Sequence, residues 1–293
     1  MTHMTQGEEN ARPPVQVVRV KVCEPDGHTV SLAADFAPAA SGGRAIVLLH
    51  AIGLARLSWE WVLPRLAEFG PAWAFDLLGF GDSDKPAGAD YRVSAQADRI
   101  VAALDSLGVG EAVWLGNSLG AAIGLAAAVH HPERVAALAL IAPAAYREML
   151  PIWARLIARL PGAPFIVRLG ALPLTAGALL YTFIDPRRVS PRHVAAYARY
   201  LSNPGSAAAL RAVAQALYSG DLDRLAPHYR EVRCPVLLLQ GTRDRIVPPA
   251  VAQWLLRDLP QARLEWLEGV GHFPHEEAPD RAAAALAAFL ETL

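Results

Sequence analysis

The sequence is poor in cysteine: Cys23 and Cys234 are the only two among 293 residues. So few thiols exclude a disulfide framework and fit a reducing compartment. Neither sign of charge is in excess, with 27 Lys and Arg against 28 Asp and Glu, and nothing in that balance points to nucleic acid. No apolar run reaches the roughly eighteen residues that a spanning helix needs. The nearest approach, residues 169–184, is short and contains Pro173. Residues 1–14 are polar, lack the apolar stretch of a secretory signal, and read as a disordered tail. These shortages together predict a cytoplasmic protein with no cofactor, no metal set and no nucleic-acid partner. What is abundant is apolar residue, 53% of the chain, enough for one large α/β core with an insertion.

Residues 15–22 and 29–36 alternate in polarity around Pro25-Asp26-Gly27, the pattern of a β-hairpin. Ala45-Ile46-Val47-Leu48-Leu49 is a continuous apolar run, as in a strand buried on both faces. Further strands are expected at 71–75, 111–115, 134–141, 235–240 and 263–267. Helices are expected at 57–69, 93–107, from 118 onward, at 249–259 and at 276–293. Alternating strands and helices predict a mainly parallel sheet, eight-stranded, with helices on both faces. Ligands of such sheets bind beyond the carboxyl ends of the strands. Residues 143–230 break the alternation. They contain no convincing strand, and their helical stretches are broken by Pro151, Pro161, Pro164, Pro173, Pro186, Pro191 and Pro204. They carry eleven arginines against four acids. This stretch reads as a helical cap over the sheet's carboxyl edge, with 15–142 and 231–293 as the core. Its arginines suit a solvated face or pairing with the acidic core.

The most informative residues are Gly116-Asn117-Ser118-Leu119-Gly120. An apolar strand precedes them and a buried helix follows, so the chain must turn sharply at the serine. Small residues on either side permit the turn and leave the Ser118 hydroxyl exposed at its tip. A plain helix N-cap is the alternative reading of Ser118. A serine nucleophile needs a base, and that base needs an orienting carboxylate. His272, in Gly269-Val270-Gly271-His272-Phe273-Pro274, follows the last strand. Asp244 follows the strand before it. Both therefore fall on the edge that carries Ser118. An oxyanion would need two backbone donors, expected at the N–H groups of Leu119 and of Ile52, in the loop His50-Ala51-Ile52-Gly53.

These pieces resemble the α/β-hydrolase superfamily from about residue 15 to the end. His50-Ala51-Ile52-Gly53 is similar to the His-Gly-x-Gly oxyanion loop, with Ala51 in place of glycine. Asp76-Leu77-Leu78-Gly79-Phe80-Gly81-Asp82-Ser83 matches the Asp-x-x-Gly-x-Gly-x-Ser turn. Gly116 to Gly120 match the nucleophile elbow, and residues 241–248 and 271–277 match the acid and histidine loops. The resemblance implies a serine hydrolase with Ser118, Asp244 and His272 as its triad. A serine, unlike the aspartate of dehalogenases and epoxide hydrolases on this fold, implies attack on a carbonyl.

Apolar stretches at 149–157, 164–167 and 171–184 predict a lipophilic pocket in which Leu179, Phe183 and Phe273 take part. A small to medium lipophilic carboxylic ester is the expected substrate. Three other readings stay open. Asn117 is similar to carbon–carbon bond hydrolases of the meta-cleavage type, although those follow their histidine with tryptophan where this chain has Phe273. Arg155, Arg159 and Arg168 beside apolar faces resemble an interfacial helix, as in a membrane-surface lipase. A non-catalytic small-molecule binder on the same fold is the third.

Overall fold

The computed structural model describes residues 14–39 and 42–293; the expected tail at 1–14 lies, apart from Pro14, outside them. Strands β1 (Gln16–Cys23) and β2 (Thr29–Ala37) form the expected hairpin. Gly27 at φ +87° turns it, and the Asp26 carboxylate accepts the His28 amide at 3.0 Å. The chain continues through β3 (Ala45–Leu49), helix α1 (Leu63–Leu66), β4 (Ala72–Phe75), α2 (Val93–Ser106), β5 (Ala112–Asn117), α3 (Leu119–His130) and β6 (Val135–Ile141). Between β6 and the next strand lie helices α4 (Ile152–Arg159), α5 (Ala163–Leu169), α6 (Ala171–Thr182), α7 (Pro191–Leu201), α8 (Pro204–Leu217) and α9 (Asp221–Leu225). The core resumes with β7 (Val236–Gly241), α10 (Ala250–Asp258), β8 (Ala262–Leu267), α11 (Pro274–Glu277) and α12 (Pro279–Leu290).

All eight strands join one sheet in the order β1-β2-β4-β3-β5-β6-β7-β8. The β1–β2 and β2–β4 pairings are antiparallel and the others parallel. Successive residues of β3 serve opposite faces. Val47 and Leu49 join the core under α2 and α3, whereas Ile46 and Leu48 join the one under α1 and α12. That two-sided burial explains why β3 reads as an unbroken apolar run.

Two expected helices are interrupted. The stretch 57–69 is a 3₁₀ turn, Arg56–Trp59, followed by the short α1, because Pro64 can only begin a helix there and the Arg56 amide is held by Asp76 at 2.7 Å. The stretch 276–293 starts earlier, at Pro274, and is divided at Ala278 before Pro279.

The turn from β5 into α3 is the tightest point of the sheet. A Cβ on Gly116 would overlap the backbone of Gly120 and Ala121, and one on Gly120 would overlap the Leu49 carbonyl of β3. Between them Ser118 adopts φ 54° and ψ −107°, a region that L side chains rarely occupy. Strain of this kind costs on the order of 1–3 kcal/mol and persists only where the surroundings enforce it.

The helical stretch between β6 and β7 is tied to the core by buried ionic contacts. His193 of α7 sets Nδ1 against Glu276 of α11 at 2.7 Å and Nε2 against Glu60 at 2.6 Å. Arg192 also reaches Glu60, at 2.6 Å, and the Tyr197 hydroxyl donates to Glu276 at 3.2 Å. Trp61 and Tyr197 flank the imidazole. Burial alone would lower the His193 pKa, but the two carboxylates outweigh it and raise the value to about 9. A second tie is Glu277, whose carboxylate accepts the amides of Ile184 at 2.8 Å and Asp185 at 3.1 Å on one oxygen and Gly271 at 2.8 Å on the other.

Two outcomes are expected. The glycines of α3 should separate in urea denaturation. Gly120→Ala, with no room beside β3, should lose roughly 3 kcal/mol or more. Gly124→Ala, whose Cβ would meet only the methyl ends of Leu138 at 3.4 Å and Leu140 at 3.7 Å, should gain about 0.5–1 kcal/mol; equal effects would contradict the packing described. The second outcome concerns pH. A histidine raised from about 6.5 in the unfolded chain to about 9 in the fold lends stability that is complete below 6.5. That stability is lost as pH rises through 9. Melting temperature should therefore fall between pH 7 and 9.5, and His193→Gln should melt lower at pH 7 with a visibly shallower fall. An unchanged slope in the variant would remove His193 from this role.

Candidate active site

Each residue of the expected triad lies at the carboxyl end of the parallel strands. Ser118 follows β5, Asp244 lies three residues past β7, and His272 sits between β8 and α11. His272 Nδ1 meets Asp244 Oδ2 at 2.8 Å, and both side chains are buried. Asp244 Oδ1 accepts the amides of Ile246 at 2.8 Å and Val247 at 3.0 Å, and Gln240 Nε2 donates to Oδ2 at 3.0 Å. Burial pushes the Asp244 carboxyl up, but His272 and these amides outweigh it and hold the group below the ordinary carboxylate range. An ionised Asp244 fixes the Nδ1–H tautomer of His272, which leaves Nε2 as the nitrogen available to a reacting group.

Ser118 and His272 line one cavity of ≈ 410 Å³, together with Ile52 and Leu119. Apart from Thr175, Tyr181 and Thr182 the rest of its wall is apolar and comes from both halves of the chain, with Leu179, Trp153 and Ile157 from the helical stretch and Phe273 from the histidine loop. No Lys, Arg, Asp or Glu lines it. Of the three expected pocket residues, Leu179 and Phe273 face the cavity. Phe183 does not line it but packs behind Phe273, ring centroids 6.0 Å apart. The reason is local: α6 ends at Thr182, and Phe183 at its C-terminus is extended (ψ 139°), which turns this side chain off the helix face that carries Leu179.

The two residues expected to supply oxyanion donors, Ile52 and Leu119, both line the cavity. Leu119 opens α3, and amides in a first helical turn have no intrahelical acceptor. Ile52 lies in a loop held by His50, which is fully buried. Its Nδ1 meets the Ala51 carbonyl at 2.7 Å and its Nε2 accepts the Leu77 amide at 3.0 Å. Ala51, where a glycine was anticipated, is accommodated in an apolar cluster with Leu54, Phe183 and Phe273.

Several supporting contacts escaped the sequence reading. Asn117 Nδ2 donates to the carbonyls of Ile141 at 3.1 Å and His272 at 3.2 Å, binding the serine turn to the histidine loop. Gln240 steadies Asp244; a polar side chain ending the run Val236-Leu237-Leu238-Leu239 was its visible signal. Arg56 joins Asp76 in an ion pair and reaches Asp35 at 2.8 Å and Asp82 at 2.9 Å. That network locks the Asp76-to-Ser83 turn beside the Ile52 loop. Gly81 is required there because a Cβ would overlap the Asp76 carboxylate. Among the described residues no group of three or more His, Cys, Asp or Glu side chains could hold a metal ion.

Comparison with known proteins gives the same architecture. The chain is 30% identical over 254 residues to a 2-hydroxymuconate semialdehyde hydrolase of Pseudomonas sp. (strain CF600), covering 85% of this chain and 87% of that protein. It is 28% identical over 260 residues to Lipase 1 of Psychrobacter immobilis, covering 86% and 78%. The solved structure of a thermophilic esterase from Thermogutta terrifontis superposes with a TM-score of 0.78 at 26% identity, covering 94% of this chain and 98% of that one. Residues 44–279 match the family model described as the alpha/beta hydrolase fold, and this chain belongs to that family of hydrolases.

Proposed function

We propose that the protein cleaves a lipophilic carboxylic ester through an acyl-enzyme. The observation that carries this reading is the Asp244–His272 pair, 2.8 Å apart, whose histidine shares one largely apolar cavity with Ser118. Ser118 Oγ attacks the ester carbonyl while His272 Nε2 takes its proton, and Asp244 stabilises the imidazolium without being protonated itself. The tetrahedral oxyanion accepts hydrogen bonds from the Ile52 and Leu119 amides. His272 then protonates the departing alcohol, and a water activated by the same imidazole releases the acid. A cavity of ≈ 410 Å³ with no charged side chain suits an uncharged acyl chain better than a polar one. The helices at 143–230 act as the cap that supplies most of its wall.

Carbon–carbon bond hydrolysis is the second reading, favoured by Asn117 before the serine and by the likeness to 2-hydroxymuconate semialdehyde hydrolase. A muconate carries a carboxylate, and the absence of any Lys or Arg from the cavity wall weighs against an anionic substrate here.

Turnover of p-nitrophenyl esters from acetate to palmitate, beside a dienone substrate, decides between the two. Ester cleavage without dienone cleavage is expected. Ser118→Ala should lose both turnover and fluorophosphonate labelling while keeping its melting temperature, and Asp244→Asn should lower kcat by on the order of 10⁴. Labelling that survives Ser118→Ala would place the nucleophile elsewhere.

The wall makes a separate prediction. Leu179→Phe, which narrows the cavity, should disfavour the longer esters by about 1–3 kcal/mol per excluded methylene, some 10–200-fold. Phe183→Ala should instead cost roughly 3–5 kcal/mol of stability with an unchanged chain-length profile. A reversed pattern would mean that Phe183 contacts substrate and Leu179 does not.

A further inference from the structure

The helices α4, α5 and α6 are built inside out. Ala154, Ala158, Ala163, Ala171, Thr175 and Thr182 point inward, with Val167 and Leu179 the larger exceptions, while Ile152, Leu156, Phe165, Ile166, Leu169 and Leu172 point to solvent. An ordinary surface helix does the reverse. Eleven of the sixteen large hydrophobic side chains exposed among the described residues fall between Ile152 and Tyr181. Helices α4 and α5 pack on α8, and α6 packs on α7, so these outward side chains face away from the sheet. Such a concentration of large exposed apolar side chains on three successive helices marks a place where something docks.

Its charge says what. Residues 149–184 contain Arg155, Arg159 and Arg168 and no Asp, Glu or Lys. All three arginines are exposed, and none pairs with an acid among the described residues. A second copy of the same face would set arginines against arginines. An anionic lipid surface offers instead an apolar interior for Leu156 and Phe165 and phosphate groups for the guanidinium heads. The pair α5 and α6 is long and apolar enough to cross a bilayer if straight, but it bends by 89° at its break, and no single helix passes that test. Such a pair lies along an interface rather than through it. The same helices supply Trp153, Ile157, Leu174 and Leu179 to the cavity wall.

We propose that the outer face of α4, α5 and α6 docks in the plane of an anionic lipid bilayer and that the cavity takes its acyl substrate from that bilayer. The docking stands on the surface alone; the substrate clause rests on the ester reading above. The test uses the full chain with vesicles of phosphatidylcholine, with and without phosphatidylglycerol, followed by co-sedimentation at low and high salt. Binding should require phosphatidylglycerol and weaken with salt. In R155E/R159E/R168E the affinity should fall roughly a hundredfold or more, each arginine near such a surface being worth about fivefold. L156S/F165S/L169S should also lose vesicle binding, yet keep its melting temperature and its turnover of p-nitrophenyl butyrate in solution. Equal binding to neutral and anionic vesicles, or unchanged binding in both variants, would overturn the proposal. So would a lipid-free dimer in sedimentation velocity that L156S/F165S/L169S dissociates, which would assign the face to a second copy. Vesicle binding by Ser118→Ala separates docking from catalysis: docking that persists without any ester turnover in the parent protein would fault the ester reading alone.

Discussion

The contact between Gly120 and the Leu49 carbonyl sets the geometry on which the site depends. It lets α3 begin directly above β3, and only from there can the turn at Ser118 be as sharp as it is. The serine pays with an unfavourable backbone, φ 54°, and gains a position at the tip of the turn, away from both elements. Around it the main chain is fastened on every side. The Ser118 amide donates to Ile141 at 2.9 Å, and its carbonyl accepts from Ala122 at 3.1 Å and Ala144 at 3.2 Å. Strain survives where the surroundings leave no other conformation, and these bonds are those surroundings.

A nucleophile fixed on one strand is useful only if the base, on another, is fixed relative to it. Asn117 provides the shortest route, since its amide bridges the ends of β5 and β6 to the His272 carbonyl. Glu277 fixes the same loop from the opposite direction through the Gly271 amide. Because the same carboxylate also holds Ile184 and Asp185, the position of the histidine and the seating of the helices above it are coupled mechanically. His193, bound to the neighbouring Glu276, adds a second fastening next to the first. Changes in the helical stretch can therefore reach the base through two adjacent acids without passing through the cavity.

The legible part of this arrangement was whatever depends on local pattern. Two-sided burial produced the unbroken run of β3, the turn chemistry of Asp26 and Gly27 located the hairpin, and the elbow glycines marked the serine. The order of Ser118, Asp244 and His272 along the chain placed all three on one edge once the sheet was taken as parallel. What stayed hidden depends on contacts between distant segments. Nothing around Glu277 or Asn117 in the sequence indicates that each joins two loops. The break at 57–69 came from the Arg56 amide captured by Asp76, twenty positions further along the chain, and periodicity cannot register such a competitor. Phe183 illustrates the same limit on a smaller scale. It shares an apolar stretch with Leu179, but the end of α6 intervenes and sends the two side chains to different places.

The helices between β6 and β7 serve two surfaces at once, and their composition reflects both demands. An element that merely roofed a cavity would need large apolar residues inward and polar ones outward. Here the inward positions are largely alanine, which leaves room for the cavity, and the bulk lies outward with isolated arginines. Small inward residues also let α4 and α5 approach α8 closely, so the layer between cavity and outer surface is only one helix thick. Trp153 reports that thinness directly, being 37% exposed while lining the cavity. A lipophilic molecule resting on the outer face would thus lie against the same helices that wall the cavity in front of Ser118, and the side chains those helices offer to both sides are mostly apolar.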